Sequence, residues 1–402
     1  MTVMLKYLPP QIRVFGIGGY AMSATFGPNL GLPLEAFWFE HVGWHWLYWE
    51  IIPTAALAIA MLAYGLPRDP IHFERFEKFN WLGILVGLPA ICSLVIVLYQ
   101  GDRLDWFRSP IITNLTFWGV AAFIVFVVNE AFHPSPYFRI QYWRSRNIQA
   151  ALLSLVGILA ICSIMGEIPA TYLEAVRGYR PIQTAPVSLV VALPQLLMLP
   201  LIAWVCNNRK VDCRIVLVGG MLCLAASAWF GTWLTVDWVR DNFYLPQLLQ
   251  VFGQPMTVIP TLMLATMAMG PADGPFISGM VNMLKGLANA VAFALFSAVT
   301  RRREQYHSTM LLDHNGTHQL ALQGMGNPIA NQLDGTSPDS AHVAWNGLQV
   351  FHTFVHEQSL VLALADIYHV LIWVCLAYAV INLVLPHRVY PPRAPSTSNP
   401  AC

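Results

Sequence analysis

The chain has 402 residues, of which 56% are hydrophobic and only 11% are charged, and its formal net charge at pH 7 is +1. Soluble domains carry about 25% charged residues, so this composition excludes an ordinary soluble protein. Apolar runs of about 20 residues recur, and each is long enough to cross roughly 30 Å of hydrocarbon. The sequence therefore predicts an all-α polytopic membrane protein. Because no basic face or tail stands out, nucleic acid is not expected as a partner.

Ten apolar spans follow one another along the chain, and we expect them to be helices because a backbone in lipid must satisfy its own hydrogen bonds. They cover residues 12–34, 46–65, 80–99, 111–132, 148–173, 182–205, 214–234, 245–269, 275–299 and 360–385. A polar loop at 300–358 separates the last two spans. With the N-terminus inside, thirteen Lys and Arg residues fall in cytoplasmic segments and five in short external loops. The positive-inside rule therefore predicts that both termini are cytoplasmic.

The seven cysteines do not indicate a disulfide framework, since most of them lie inside apolar runs. Cys206 and Cys213 flank a short basic turn, but no histidine lies nearby to complete a zinc site. No Gly-Lys-Ser/Thr phosphate loop occurs either. We therefore predict no metal, no cofactor, no ATP-driven step and no enzymatic activity.

Small residues recur in the first span, where "MSATFGPNLGLP" covers residues 22–33. Ser23, Gly27, Pro28 and Gly31 would let a neighbouring backbone approach closely, and the proline would bend the helix. Ordinary tight packing and a helix that pivots against a partner both fit this pattern. Small residues alone do not decide between them.

Five segments in order carry a resemblance to a known family. They are "MSATFGPNLGLP" (22–33), "GWHWLYWEIIP" (43–53), "YLEAVRGYRPIQTAPVSL" (172–189), "ISGMVNMLKGLANAVAFALF" (277–296) and "ALADIYHVLIW" (363–373). Together they cover nearly the whole chain, and the ordered set is more specific than any one of them. The chain resembles the 14-helix drug:proton antiporters of the major facilitator superfamily, the EmrB/QacA type.

That resemblance implies a fold of two six-helix bundles joined by two linker helices. Residues 1–65 would be the last two helices of the N-terminal bundle, and 66–140 the linker pair. Residues 141–402 would be the whole C-terminal bundle, including the extracytoplasmic loop 300–358. The first four helices of the family have no counterpart, so the resemblance predicts an N-terminally truncated chain. It also makes the "GPNLG" helix, with Ser23, the antiporter-motif helix.

Charged residues within the spans are the candidates for proton coupling, because a charge in a helix centre needs a partner or a wet cavity. Glu167 is the deepest carboxylate, and we expect it to be a protonation or cation site unless it pairs with Arg177 or Arg180. Lys285 would pair with Asp366 or Glu167, contact substrate, or extend toward the cytoplasmic face. Asp366 lies near the outer end of the last span, where solvent is the alternative to a coupling role.

Soft and polar side chains of the C-terminal spans are the candidates for a substrate cavity near mid-membrane. They are Met165, Gln195, Met198, Gln250, Gln254 and Met283. Ordinary packing is the alternative for each.

The resemblance implies proton-coupled efflux of small amphipathic toxic compounds or drugs across the bacterial inner membrane, by this chain or by a longer protein of which it is the C-terminal part. Protons and the lipid bilayer would be its other partners. A periplasmic adaptor and an outer-membrane channel are implied by analogy only. The competing hypothesis is an inactive truncated remnant or a non-transporting membrane subunit.

Overall fold

The structure, a computed structural model, describes residues 3, 7–9, 11–66, 79–137, 146–266, 274–316 and 340–384, and most of these residues lie in α-helices. Within these ranges we number the helices in chain order. They are α1 (Arg13–Ala21), α2 (Phe26–His41), α3 (Trp46–Trp49), α4 (Ile51–Gly65), α5 (Trp81–Gln100), α6 (Pro110–Phe132), α7 (Arg146–Ala175), α8 (Pro181–Asn207), α9 (Cys213–Gly231), α10 (Tyr244–Thr266), α11 (Gly274–Gly316) and α12 (Ser340–Val384).

Nine helical stretches of the described ranges are long and apolar enough to cross a membrane. One is α3 and α4 together, Trp46–Gly65, and the others lie on α5 to α12. They correspond to nine of the ten predicted spans, most of them within a few residues at each end. The all-α polytopic fold predicted from composition is confirmed.

The remaining predicted span, 12–34, is two helices separated by a turn at residues 22–25. Pro28 explains the interruption, since proline has no N–H to bond the carbonyl of Ala24 and its ring crowds that group. The chain closes the turn instead through the Gly27 N–H, which donates to the Met22 carbonyl over 3.0 Å. The bend predicted for this span is therefore a complete break of the helix.

The polar segment between the last two spans differs from the predicted loop at 300–358. Helix α11 continues to Gly316 and α12 already begins at Ser340, so residues 300–316 and 340–358 are helical. Residues 317–339 lie outside the described ranges, as does the domain boundary predicted at 140–141. Hydropathy marked where the apolar runs end, but Arg301, Arg303 and His307 continue the helix because each finds a partner on another element.

Helices α7 to α12 pack into one bundle, and α10 is its centre. Helix α10 lies against α1, α7, α8 and α9, while α12 lies against α7, α9 and α11. The hydrophobic core is drawn from α1 and these six helices; Met165, Leu217, Leu262 and Leu364 are fully or almost fully buried in it. This six-helix unit provides the framework on which the other helices are placed.

Two glycines allow α9 and α10 to cross at short range. A Cβ on Gly220 would lie 2.8 Å from the Met256 Cβ, and a Cβ on Gly253 would lie 2.8 Å from the Leu224 side chain. Helices in lipid associate largely through such close packing, since the lipid tails are as apolar as the helix surfaces. The close α9–α10 contact thus depends on small residues in both helices.

The first 132 residues attach to this bundle to different degrees. Helices α1 and α2 pack on α8, and α5 and α6 form a hairpin whose α5 rests on α11. Helix α4 is different, because none of its fifteen residues is buried.

Candidate functional site

A cavity of about 280 Å³ lies where α2, α5, α7, α8, α10 and α11 meet. Its position follows from the break in the first span. Because α2 begins just after the turn at residues 22–25, its first residues lie against the bundle and line the cavity. The lining residues are Ala24, Thr25, Pro28, Asn29, Leu32, Tyr99, Leu159, Cys162, Ser163, Ile164, Gly166, Glu167, Ser188, Gln254, Asn289, Ala292, Phe293 and Phe296.

The polar side of the cavity is built on Gln254 of α10. Its Oε1 accepts hydrogen bonds from the amides of Asn29, over 2.9 Å, and Gln195, over 2.6 Å. Its Nε2 donates to the Gln250 Oε1 over 3.2 Å. Because Gln254 already accepts two hydrogen bonds and donates one, it is held in one orientation, and it ties the broken first span to the centre of the bundle.

Glu167 of α7 is the one carboxylate among the residues that line this cavity. No hydrogen bond or ion pair to Glu167 is found within the described ranges. The alternative partners named from sequence are engaged elsewhere: Arg180 bonds Glu40 over 3.3 Å, and the Arg177 Nη1 lies 3.5 Å from the Val236 carbonyl. The carboxyl group therefore faces the cavity rather than a fixed positive charge.

Lys285 of α11 contacts the turn between α1 and α2. Its Nζ donates to the Ser23 carbonyl over 3.1 Å and to the Ser23 Oγ over 3.0 Å, and it lies 5.5 Å from the Tyr20 ring centroid. The Tyr20 hydroxyl donates to the Asn282 Oδ1 over 2.7 Å. Neither predicted ion pair, with Asp366 or with Glu167, is present. The lysine instead donates to the Ser23 carbonyl in the turn that follows α1, where a positive charge is favourable beside a helix C-terminus.

Asp366 of α12 belongs to a separate cluster with two residues of α11. Its Oδ2 accepts from the Arg303 Nε over 2.7 Å and from the Arg303 Nη2, and it lies 2.6 Å from the His307 Nε2. Asp366 is thus held by a guanidinium and an imidazole, whereas Glu167 faces open space. The two carboxylates named as coupling candidates have different electrostatic surroundings.

The structure brings three of the sequence-named residues to the cavity, namely Glu167, Pro28 and Gln254. Gln195 and Gln250 lie one layer behind, bonded to Gln254 and buried. The others lie away from the lining: Met165 is fully buried in the core, Met198 and Met283 are partly buried elsewhere, and Ser23, Gly27 and Gly31 sit on other parts of the turn and of α2.

The small residues of the first span do not share one close contact. A Cβ on Gly18 would lie 3.0 Å from the Ala203 Cβ, but Gly31 has nothing within 4 Å, and Gly27 has only the Met22 carbonyl. Of these small residues, Gly18 is therefore the one at which the first span packs tightly, against Ala203 of α8.

Sequence reasoning missed most of the residues that line the cavity. Asn29 and Asn289 are amides inside apolar spans, and the Ser163 hydroxyl donates to the Asn289 Oδ1 over 3.2 Å. Polar residues at mid-span were the signal that could have found them. The aromatic residues Phe293 and Tyr99 gave no such signal, because their rings meet at 4.9 Å only after α5 docks on α11.

An α-helical bundle with nine membrane-length stretches in its described part is the architecture of a multi-pass membrane protein, and the cavity between its helices is of the kind in which transporters bind their substrates. The family follows from comparison with known proteins. The model of the Major Facilitator Superfamily matches residues 1–293, and the chain belongs to that family.

Individual relatives are similar at low identity. The uncharacterized MFS-type transporter YhcA of Bacillus subtilis is 23% identical over 337 residues, covering 83% of this chain and 62% of the relative. The colistin resistance protein EmrB of Acinetobacter baumannii is 20% identical over 373 residues, covering 92% and 72%. The probable multidrug resistance protein EmrY of Escherichia coli is 24% identical over 353 residues, covering 83% and 67%. This chain therefore spans between 62 and 72% of the length of these relatives.

Proposed function

We propose that this protein is a proton-coupled exporter of small amphipathic toxic compounds or drugs in the bacterial inner membrane, acting by itself or as the C-terminal part of a longer exporter. The observation that carries the proposal is the cavity between α2 and the bundle, with one carboxylate among its lining residues. Relatives whose names refer to colistin and multidrug resistance support the substrate class.

The lining suits compounds that are apolar with a positive charge. Phe293, Phe296 and Tyr99 form an aromatic side, and Glu167 supplies a negative charge when it is ionised. Aromatic faces attract cations as well as apolar groups, and a cavity that is closed to water strengthens both interactions. Asn29 and Gln254, which also line the cavity, would orient polar groups of a bound compound.

Glu167 is the residue that we assign to proton coupling. A carboxylate that faces an apolar cavity without a fixed countercharge binds either a proton or a cationic compound, so the two exclude one another. The membrane potential contributes about 2.3 kcal/mol per charge per 100 mV to such an exchange. Asp366, held by Arg303 and His307, is less suited to this exchange because its negative charge is already neutralised.

The remaining features of the proposal concern arrangement in the cell. Residues 1–65, 66–140 and 141–402 would be the end of one bundle, a linker pair and a second bundle, with both termini in the cytoplasm. A periplasmic adaptor and an outer-membrane channel would extend the export path. Transport would proceed by rocking of α1 and α2 against the bundle, with the antiporter-motif residues Ser23, Gly27, Pro28 and Gly31 near the turn.

One observation favours the alternative, an inactive remnant or a non-transporting membrane subunit. Helix α4 has no buried residue, and many side chains of α2 are exposed. If few helices bound the cavity on the side of α2, the protein would bind a compound there without enclosing it.

Transport by the full chain decides between the two. The chain is purified, reconstituted in liposomes with an imposed pH gradient, and supplied with radiolabelled tetraphenylphosphonium, an aromatic cation. We expect gradient-driven movement of the cation, and a loss of about tenfold or more in Glu167→Gln because the exchangeable proton is gone. Movement equal to that of empty liposomes, with correct insertion confirmed, would establish the alternative.

Glu174→Gln is the matched control, since Glu174 lies on the same helix and outside the cavity lining. Its transport rate should stay within about twofold of the unmodified protein, as is usual for a substitution away from a functional site. An equal loss in both variants would mean that helix α7, rather than the cavity carboxylate, was damaged.

A further inference from the structure

Tyr99 is the one residue of the α5–α6 hairpin among those that line the cavity. It lies in the last turn of α5, and its ring centroid is 4.9 Å from that of Phe293 on α11, with 32° between the planes. Tyr99 remains 41% exposed, so its ring covers the cavity without being locked into the core. A helix outside the six-helix bundle therefore contributes an aromatic wall.

Arg301 fastens the hairpin at this height. Arg301 lies about two turns beyond Phe293 on α11. Its Nη1 donates to the Asp102 carbonyl over 2.6 Å and its Nη2 to the Asp105 Oδ1 over 2.5 Å. Asp105 stands in a left-handed backbone conformation with φ of 56°, so the turn after α5 is folded back toward α11. This contact begins three residues after Tyr99 and fixes the end of α5 that carries it.

The hairpin itself is held as a unit, so the Arg301 contact positions the whole of it. Near the other end, the Asn80 Nδ2 donates to the Glu130 Oε1 over 2.7 Å, and the Asn129 Nδ2 donates to the Asn80 Oδ1 over 2.8 Å. Midway, Gly87 lets Phe126 pack directly on α5, because a Cβ there would lie 2.6 Å from the ring.

We propose that Tyr99 is a specificity-determining residue of the cavity, and that Arg301 positions it by fastening the α5–α6 hairpin to α11. The inference rests on the proposed function, because specificity presupposes a bound compound. The Tyr99 ring, which the hairpin places beside Phe293, limits the size of the compound that fits against the aromatic residues of the cavity. It also stacks on aromatic ligands. The linker pair thus shapes the binding site and does not only connect two bundles.

The specificity role is tested by binding. The dissociation constants of tetraphenylphosphonium and of the smaller tetraethylammonium are measured for the full chain in nanodiscs, with Tyr99→Ala, Tyr99→Phe and Tyr99→Trp. In Tyr99→Ala we expect affinity for tetraphenylphosphonium to fall by about threefold to thirtyfold, the effect of one lost cation–π or stacking contact. Tetraethylammonium should change less, Tyr99→Phe should bind like the unmodified protein, and Tyr99→Trp should favour the smaller cation.

Tyr64→Ala is the control, because Tyr64 lies on α4 and is 97% exposed. If Tyr99→Ala and Tyr64→Ala bind both cations alike while the unmodified protein binds tetraphenylphosphonium, the inference is overturned and the proposed function stands. If the unmodified protein binds neither cation, the proposed function fails and the specificity role fails with it.

The positioning role has a readout that needs no ligand. In a cysteine-free background, Tyr99→Cys and Phe293→Cys are combined and the yield of a short mercury cross-link is measured. Arg301→Gln should lower that yield by about twofold to fivefold, as expected for one exposed ion pair, and Arg301→Lys should restore part of it. Arg302→Gln, at the adjacent and exposed position, should leave the yield unchanged. No cross-link with Arg301 present, or equal yields in the two Gln variants, would overturn the assignment.

Discussion

Helices α10 and α4 have almost the same mean hydropathy over the most apolar stretch of each span. Nevertheless, 78% of the residues in that stretch are buried in the span of α10, and none are buried in the span of α4. Helix α10 contains Gln250, Gln254, Thr257 and Thr261, all buried, and its glycine at 253 admits α9. Helix α4 contains mainly aliphatic residues, and its Thr54 hydroxyl bonds only the helix's own backbone.

The difference in burial between α10 and α4 indicates which residues hold a helix in the interior of a membrane protein. Lipid tails solvate Leu and Ile as well as a protein core does, so apolar residues do not draw a helix inward. Amides, hydroxyls and small residues do, because lipid offers them no hydrogen bonds and because they permit close packing. Three of the predictions below substitute a residue of α10 or α4 and measure the change in stability, and one follows the attachment of the α5–α6 hairpin.

The largest effect is expected for Leu262→Ala in α10. Leu262 is 1% exposed, and truncation leaves a cavity that its neighbours fill only in part. We expect a loss of about 2 kcal/mol in unfolding free energy, at the lower limit for soluble cores because lipid removes the transfer term. Steric-trap unfolding in bicelles measures this loss. A change below about 0.5 kcal/mol, the usual limit for surface sites, would show that burial of α10 does not stabilise the fold.

Gln254→Leu should have the next largest effect. It removes the acceptor shared by Asn29 and Gln195, and hydrogen bonds between membrane helices are worth about 0.6 kcal/mol each, so we expect about 1 kcal/mol in the same assay. Gln195→Leu removes only one of these bonds and should cost about half as much. Equal losses in the two variants would contradict the assignment of Gln254 as the centre of the amide cluster.

Hydropathy predicted where the spans lie because insertion depends on apolar length, which is local. It did not predict which face of each span meets protein. It ended the ninth span too early, because Arg303 and His307 are stabilised by Asp366, a distant residue, and it began the tenth span too late. The break in the first span was partly predictable, since the effect of Pro28 on its helix is local as well.

For the candidate site, charged and polar residues within apolar spans were a better guide to the cavity than the residues of the family motif. Glu167 was named because a charge within a span needs a partner or a wet cavity, and Gln254 was named among the soft and polar side chains of the C-terminal spans; both line the cavity. Tyr99 was not named, since it lines the cavity only where α5 docks on α11, and one contact of that docking joins Arg301 to Asp105, 196 residues apart in sequence. Lys285 was named but its partner was not, because the Ser23 carbonyl became available only through the helix break.

The α5–α6 hairpin is intermediate between α10 and α4, and its attachment should depend on pH. The hydrogen bond and the charge of Arg301 lower the pKa of Asp105 below its ordinary value of 3.8. Since the pKa is lower in the docked state, the contact is complete above pH 3.8 and is lost as the pH falls through the lowered pKa. Spin labels at Leu104→Cys and Thr309→Cys should move apart only in strong acid. In Asp105→Asn the distance should not respond to pH, and a transition near pH 6 would assign the titration to another group.

The smallest effect is expected for Leu57→Ala in α4, which repeats the Leu262→Ala substitution on the other side of the comparison. Leu57 is 63% exposed and would meet lipid both in the folded protein and after unfolding within the bilayer, so truncation removes no contact that folding creates. We expect a change within about 0.5 kcal/mol, as for other exposed positions. The same steric-trap assay measures it. A loss as large as that of Leu262→Ala would mean that α4 packs against a protein surface in the bilayer, and the contrast between the two helices would then reflect a missing partner.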